Sequence, residues 1–383
     1  MELFDVYPLY PIEPVKAEGH YIWDRDGNKY LDFYGGHAVI SIGHSHPHYV
    51  KRIKDQLDRI GFYSNSIINT VQQKLAQKLG EVSGYEDYQL FLCNSGAEAN
   101  ENALKLASFV NGKDKVIAFK KGFHGRTSGA VAATDNLKYI SPFNSHHKVS
   151  ILELNDLQGL EKELASGEVA AVIIEGIQGL AGIYLAEPEF MTSLPILCKK
   201  YGALLILDEV QSGYGRSGKF FAHQHVGIKP DIITVAKGMG NGFPIAGILI
   251  NPEIKPWHGM LGTTFGGNHL ASAAGLAVLE VIEKEKLMEN ASEMESVQQN
   301  LFSKIPEIKE IRGKGLMTAI EFDFPIKSLR AKLLTTQHVF TGTSMQPNSL
   351  RLLPPLGVGA EELKIFTTKL IKVIEDEKIH FSS

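Results

Sequence analysis

The chain has 383 residues, 44% of them hydrophobic and 21% charged, with a formal net charge of −4. That length is too great for one compact core and suits two domains, or one large domain with a smaller companion. Acids and bases are mixed along the chain with no basic stripe, which argues against a nucleic-acid binder.

In chain order, the opening "MELFDVYPLYPIEPV" carries Glu2 and Asp5 before any apolar run and does not read as a signal peptide. "HYIWDRDGNKYLDF" predicts a hairpin, two aromatic-rich strands around Asp26-Gly27-Asn28. From about Tyr49 the pattern is helical and amphipathic, as in "YVKRIKDQLDRI". Strands and helices then alternate. "QLFLCNS" is a strand, "GAEANENALKLASFVNG" a helix ending at Gly112, and "KVIAFKK" a strand. "LNDLQGLEKELAS" and "EFMTSLPILCKKYG" are helices, and "VAAVIIEG", "ALLILDEV", "DIITVAKG" and "AGILINP" are strands. Near-continuous apolar strands between helices predict a mainly parallel sheet covered on both faces. After about Phe265 the texture changes. A long helix over roughly His269 to Lys286 is followed by another helical segment, by short strands in "IRGKGLMTAIEFDF", "HVFTGT" and "SLRLLPP", and by a last helix from near Gly359, a smaller α+β domain. No stretch of about 18 apolar residues marks a membrane span. The two cysteines, Cys93 and Cys198, form no CxxC metal pattern or disulfide framework and fit a reducing, cytoplasmic setting.

Lys237 breaks the apolar pattern. It follows the strand "IITVA" and precedes a glycine-rich turn, where a buried ammonium is costly unless paired or neutralised. A lysine that forms an imine with pyridoxal phosphate (PLP) escapes that cost, and PLP needs an acid for its pyridine nitrogen. Asp208, beside Glu209 at the end of an apolar strand, is a candidate. Taken alone, each residue reads more simply otherwise, Asp208 as a helix cap and Lys237 as a lysine that snorkels to solvent. "CNSGAEANENALK" places Ser95-Gly96-Ala97 between strand and helix, where free N–H groups bind a phosphate, or where Asn94 or Ser95 simply caps the helix. In "GFHGRTSGA", Phe123 could stack on a ring and Arg126 could clamp a carboxylate; an isolated "HGR" would read as a surface turn.

Taken together, "YIWDRDGNKYLDF", "GHSHP", "NSGAEANE", "FHGRT", "LDEVQSGYGRSGKF", "PDIITVAKGMGNGFPI", "TTFGGN", "RGKGL" and "LRLLPPL" resemble the class III aminotransferases, and within them the acetylornithine aminotransferase group. The resemblance covers nearly the whole chain. It implies PLP fold type I, an α/β architecture with a mainly parallel sheet in a large domain and a smaller α+β domain. The expected divisions are an N-terminal segment 1–48 packing with the small domain, a PLP-binding domain 49–264 and a small domain 265–383.

The resemblance also implies roles. Lys237 carries PLP and shuttles the proton, and Asp208 pairs with the pyridine nitrogen. Val210 and Phe123 sandwich the ring, and Gln211 reaches its phenolic oxygen. Gly96 and Ala97 donate to the phosphate, and Thr264 completes the phosphate site of the neighbouring subunit of a homodimer, with Thr263 near that subunit's substrate. Arg126 holds the carboxylate of the acylornithine, and Arg351 the α-carboxylate of glutamate or 2-oxoglutarate. No metal is implied. The implied reaction moves the terminal amine of an N-acylornithine, N2-acetylornithine first, to 2-oxoglutarate in arginine biosynthesis. Succinylornithine, ornithine, 4-aminobutyrate and other ω-amines are the alternatives.

The sequence departs from that pattern in "EGIQGLAG", residues 175–182: Gly176 stands where proline is usual and Leu180 where glutamate is usual. That glutamate masks the second arginine in relatives, and Leu180 cannot. His37 replaces the usual isoleucine and His269 the usual proline. Two other classes are weaker. A dinucleotide-binding dehydrogenase would want GxGxxG between the first strand and helix, whereas "GMGNG" follows a late strand. A catalytically silent PLP-fold protein would not need both Lys237 and Asp208.

Overall fold

Seven strands form the central sheet, in the spatial order Gln89–Cys93, Ala246–Ile250, Ile232–Val235, Leu204–Asp208, Val169–Glu175, Lys115–Phe119 and Val149–Leu152. The structure is a computed structural model and describes residues 1–381. Ala246–Ile250 runs antiparallel to both neighbours, and every other pair in this sheet is parallel. All seven residues of Val169–Glu175 are buried, as a strand with helices on both faces must be. Side chains alternate between two cores. Ala171 and Ile173 join Ala103, Ala107, Ile206 and Ile248 on one face, while Val172 and Ile174 join Leu160, Phe190, Leu194 and Leu207 on the other. Cys93 and Cys198 are both free and buried, one in each core.

A three-stranded antiparallel sheet, Ile308–Lys314, Met317–Phe322 and Ser349–Leu352, lies in the C-terminal part. "IRGKGLMTAIEFDF" is thus a hairpin rather than one strand, because Gly315 at φ +57° turns the chain between its halves. The long helix expected over 269–286 ends at Lys284: Lys286 takes φ +53° and starts the next helix, Leu287–Phe302. "HVFTGT" supplies only the two-residue strand Val339–Phe340. It adds in parallel to Lys29–Asp32, the edge of a sheet built from Pro14–Glu18, Tyr21–Asp24 and Lys29–Asp32. The Asp26-Gly27-Asn28 turn of that hairpin closes on Asp24, whose Oδ1 accepts from the N–H groups of Asp26 and Asn28. Among the described residues no helix is long and apolar enough to cross a membrane.

Parallel register brings the carboxyl ends of the strands together. Glu175 pairs with Asp208, and Asp208 with Thr234, three residues before Lys237. Ligand sites of open α/β sheets lie in the crevice at this edge. The turn after Lys237 is tied to the N-terminal segment by Asn241. Its Oδ1 accepts from the N–H groups of Ser41 (2.8 Å) and Ile42 (3.1 Å), and its Nδ2 donates to Gly43 O (2.9 Å). Asn241 sits at φ +47°, a region asparagine tolerates better than most residues. Asn241→Ala leaves two buried donors unpaired, each costing roughly 1–3 kcal/mol. Denaturant unfolding of the variant should show a loss of about 2–6 kcal/mol; a loss below about 1 kcal/mol would show that water or a shifted loop satisfies them.

Candidate active site

Asp208 ends the strand Leu204–Asp208 and is 4% exposed. One oxygen, Oδ2, accepts from His124 Nδ1 (2.7 Å) and Asn100 Nδ2 (2.8 Å); the other, Oδ1, accepts from the N–H of Val210 (3.0 Å). Asn100 also donates to His124 O (2.7 Å), so the two donors hold each other. Asp208 is therefore a carboxylate fixed by side chains from two other segments and caps no helix. Its neighbour Glu209 turns away, accepting from the backbone N–H groups of Ala222 and His223 and facing His223 Nδ1 at 2.7 Å.

Lys237 opens a one-turn 3₁₀ segment, Lys237–Met239, at φ +41°. It is half-buried, and burial holds its amine below the usual lysine range, with Asp208 and Glu175 opposing the shift and Arg351 adding to it. A lysine so placed reaches its neutral, nucleophilic form more readily than one in water. Both residues line a cavity of about 620 Å³, shared with Gly96, Ala97, Phe123, Arg126, Val210 and Gln211.

The wall opposite the sheet edge is the start of the helix Gly96–Asn111, whose first N–H groups have no partner within the helix. Ser95 does cap it, accepting from Glu98 N at 3.2 Å, and that cap does not exclude an anion at the same helix start. Gly96 is needed for close approach: a Cβ there would lie 2.7 Å from Val210 Cγ1. Phe123 is half-buried, and its N–H donates to Glu175 Oε1 (2.9 Å).

The two arginines differ. Arg126 is exposed and stacks over Tyr139, 4.0 Å from the ring centre. Arg351 is 1% exposed, on the strand Ser349–Leu352. Leu180 lines the same cavity; among the described residues no carboxylate forms an ion pair with Arg351, and uncharged oxygens of Thr343, Gly179 and Gln211 meet it. His37 also lines the cavity. Its ring contacts Tyr34 Oη, and burial, with Arg351, Lys237 and Arg330, lowers its pKa to about 4, so it is neutral at pH 7. Thr263 and Thr264 do not join this cavity. Thr263 Oγ1 lies 3.3 Å from Glu98 Oε1 and Asn94 Nδ2, and Thr264 is exposed.

Sequence reasoning missed Glu175, Asn100, Tyr139 and Tyr7. Glu175 carried a signal, because it ends "VAAVIIE" as Asp208 ends "ALLILD". Tyr7, which also lines the cavity, carried none.

The aminotransferase class-III family model matches residues 6–374. The chain belongs to the class III aminotransferases. It is 41% identical over 384 residues to the acetylornithine aminotransferase of Bacillus subtilis, covering 97% of each chain. It is 42% identical over 352 residues to that of Archaeoglobus fulgidus, covering 91% of this chain and 92% of the relative. Among solved structures it resembles an ornithine aminotransferase of Toxoplasma gondii (TM-score 0.89, 30% identity, 98% of this chain and 93% of the other). It also resembles an acetylornithine aminotransferase of Elizabethkingia anophelis (TM-score 0.82, 30% identity, 97% and 96%). The enzyme is a transaminase that works with pyridoxal phosphate. The residues fit that cofactor: a buried carboxylate held by His124 and Asn100, a lysine of lowered pKa on the same sheet edge, and a helix start where Gly96 leaves the room a Cβ would fill.

Glu175 supplies a pH test. Burial raises its pKa from 4.5 to about 6, with Asp208 adding to the shift and His124 opposing it. The fold thus favours the protonated carboxyl, and this contribution is full below about pH 4.5 and lost as pH rises through about 6. Relative to wild type, Glu175→Gln should gain stability between pH 5 and pH 7, by up to about 2 kcal/mol. Thermal melts of the cofactor-free proteins check this, and a constant difference in Tm across the range would contradict it.

Proposed function

We propose that this enzyme moves the terminal amine of an N-acylornithine, N2-acetylornithine by preference, to 2-oxoglutarate, as a cytoplasmic step of arginine biosynthesis. The observation that carries the reading is one cavity lined by Lys237 and Asp208, with the exposed Arg126 at its wall and the buried guanidinium of Arg351 bonded to its lining residue Gln211. Relatives named for acetylornithine at about 40% identity over most of the chain support the substrate.

When bound, pyridoxal phosphate supplies a carbonyl that exchanges amines and a protonated ring that accepts electrons from a cleaved C–H bond. The rest falls to the chain. Asp208, immobilised by His124 and Asn100, holds the proton on the ring nitrogen. The N–H groups of Gly96 and Ala97 hold the phosphate at the helix start. Phe123 and Val210 would flank the ring, and Gln211 would meet its phenolic oxygen. Lys237, its basicity tuned by burial, would take the proton from the substrate carbon and deliver it to the cofactor carbon that carried the carbonyl. Arg126 holds the carboxylate of the acylornithine, and Arg351 the α-carboxylate of glutamate or 2-oxoglutarate, each as a charge-assisted contact.

The working unit is a homodimer in which Thr264 completes the partner's phosphate site and Thr263 lies near the partner's substrate. Exposed apolar side chains around these threonines support a covering second copy: Phe62, Tyr63 and Phe265 are each more than 40% exposed, and Phe62 packs on Phe265 at 5.4 Å.

Borohydride should bleach the visible absorbance of the loaded enzyme and leave a pyridoxyl label on Lys237, located by peptide mass mapping. Lys237→Ala should still bind the cofactor but lose turnover by roughly 10²–10⁴-fold from proton transfer alone. A label elsewhere, or none, removes Lys237 from the role. For the shared site, subunits carrying Thr264→Ala mixed with subunits carrying Lys237→Ala form hybrids with one intact and one doubly damaged site. Activity should reappear in the purified hybrid, and its absence would mean that Thr264 serves its own chain.

A further inference from the structure

The two arginines of the site are held in opposite ways. Arg351 is buried among oxygens, whereas Arg126 is exposed on the cavity wall, and among the described residues no hydrogen bond or ion pair engages its guanidinium. What meets it is the ring face of Tyr139, 4.0 Å from the guanidinium carbon to the ring centre. Glu101, the acid that the residues after Arg126 use, is already engaged: it accepts from Thr127 Oγ1 (2.7 Å) and from the N–H groups of Gly129 (2.8 Å) and Ala130 (3.0 Å).

The ring stands on a fixed mount. Tyr139 is half-buried and closes the one-turn 3₁₀ segment Leu137–Tyr139. Asn136 caps that turn, its side chain accepting from Lys138 N–H (3.1 Å) and its carbonyl from Tyr139 N–H (3.0 Å). The turn hangs from the backbone that leads into Phe123: Asp135 N–H donates to Gly122 O (3.0 Å), and Asp135 Oδ2 accepts from Lys121 N–H (2.7 Å). The far end of the loop returns to the segment that follows Arg126. Asn144 Nδ2 donates to Ser128 Oγ (3.2 Å), and His147 Nε2 lies 2.8 Å from the same oxygen. Ring and arginine are thus tied to one stretch of backbone from both sides.

A stack engages only the face of a guanidinium. Its N–H groups lie in the plane, at the edge, and stay free for a carboxylate. An exposed arginine without such support samples many rotamers and loses that freedom when it binds. We propose that Tyr139 is a positioning residue for the acylornithine half of the reaction: its ring is a platform that holds the guanidinium plane of Arg126, so that the fork is preset for the substrate carboxylate. The proposal rests on the reading of Arg126 as the holder of that carboxylate. It ties recognition of the acylornithine to a loop that contributes nothing to the cofactor contacts, so affinity for substrate and affinity for cofactor can change separately.

The test uses cofactor-saturated enzyme and N-acetyl-L-norvaline, which has the acylated nitrogen and the carboxylate but no terminal amine and cannot react, with Kd measured by calorimetry. Tyr139→Leu should weaken the probe roughly threefold to tenfold, and Tyr139→Phe, which keeps the ring face, should stay within about twofold of wild type. Affinity for pyridoxal phosphate should be unchanged in both. In the Arg126→Gln background Tyr139→Leu should add less than about twofold, because the ring acts through the arginine. Single-turnover rates with N2-acetylornithine should keep their saturating value in Tyr139→Leu while the half-saturating concentration rises by the same factor as Kd. If Tyr139→Leu does not fold, Tyr139→Met, which fills much of the volume without a ring, takes its place. Equal weakening by the leucine variant in both backgrounds, or equal weakening by Tyr139→Phe, overturns the platform. If Arg126→Gln weakens the probe and Tyr139→Leu does not, the platform falls and the carboxylate reading of Arg126 stands; if Arg126→Gln binds like wild type, both fall.

Discussion

The structure depends on one constraint: three ionisable side chains, Glu175, Asp208 and Lys237, stand at the same edge of an otherwise apolar sheet. Two of their strands are parallel and in register, so their last residues are neighbours whatever else the chain does. Charges at such a place are unfavourable unless each has partners. Asp208 has His124, Asn100 and the Val210 N–H; Glu175 has the N–H groups of Phe123 and Gly179. Lys237 stands beside them with its amine held below the usual lysine range by burial. The surrounding loops can be understood as the means of supplying those partners.

Those loops come from distant parts of the chain. Asn241 joins the turn after Lys237 to residues 41–43, and Ser41 Oγ adds a bond to Gly238 O (2.8 Å). A lysine at φ +41° is strained, and an over-determined loop is what holds such a conformation. Glu175 links two cavity walls, fixing Phe123 on one side and the Gly179 turn on the other.

The departures at 176 and 180 both lie in the turn that follows the strand Val169–Glu175. Gly176 N–H donates to Asp208 O at 3.1 Å, extending the strand ladder by one bond that a proline could not make. A Cβ at 176 would lie 2.6 Å from Glu209 Oε1, so the buried Glu209 occupies space that a larger residue would take. The turn that follows is tied down by its own backbone and presents Leu180, while uncharged oxygens take over the contact with Arg351.

The sequence by itself determined the alternation of buried strands and amphipathic helices, the parallel sheet and the breaks around Lys237, because these follow from local periodicity and from a lysine set in an apolar run. Its ordered motifs carried the family and, with it, the cofactor. It did not decide which acid of Asp208-Glu209 faces the cavity. That depends on side-chain alternation at the strand end and on His124 and His223, which arrive from elsewhere. Nor did it reveal that Arg351 is covered, since Thr343, Gly179 and Gln211 lie up to 172 positions away in the chain. Tyr7 reaches the cavity through a segment with no periodic pattern. Local pattern reports which face of an element is buried; only the folded chain decides which distant groups meet there, because those contacts are set by register and loop closure rather than by neighbours in sequence.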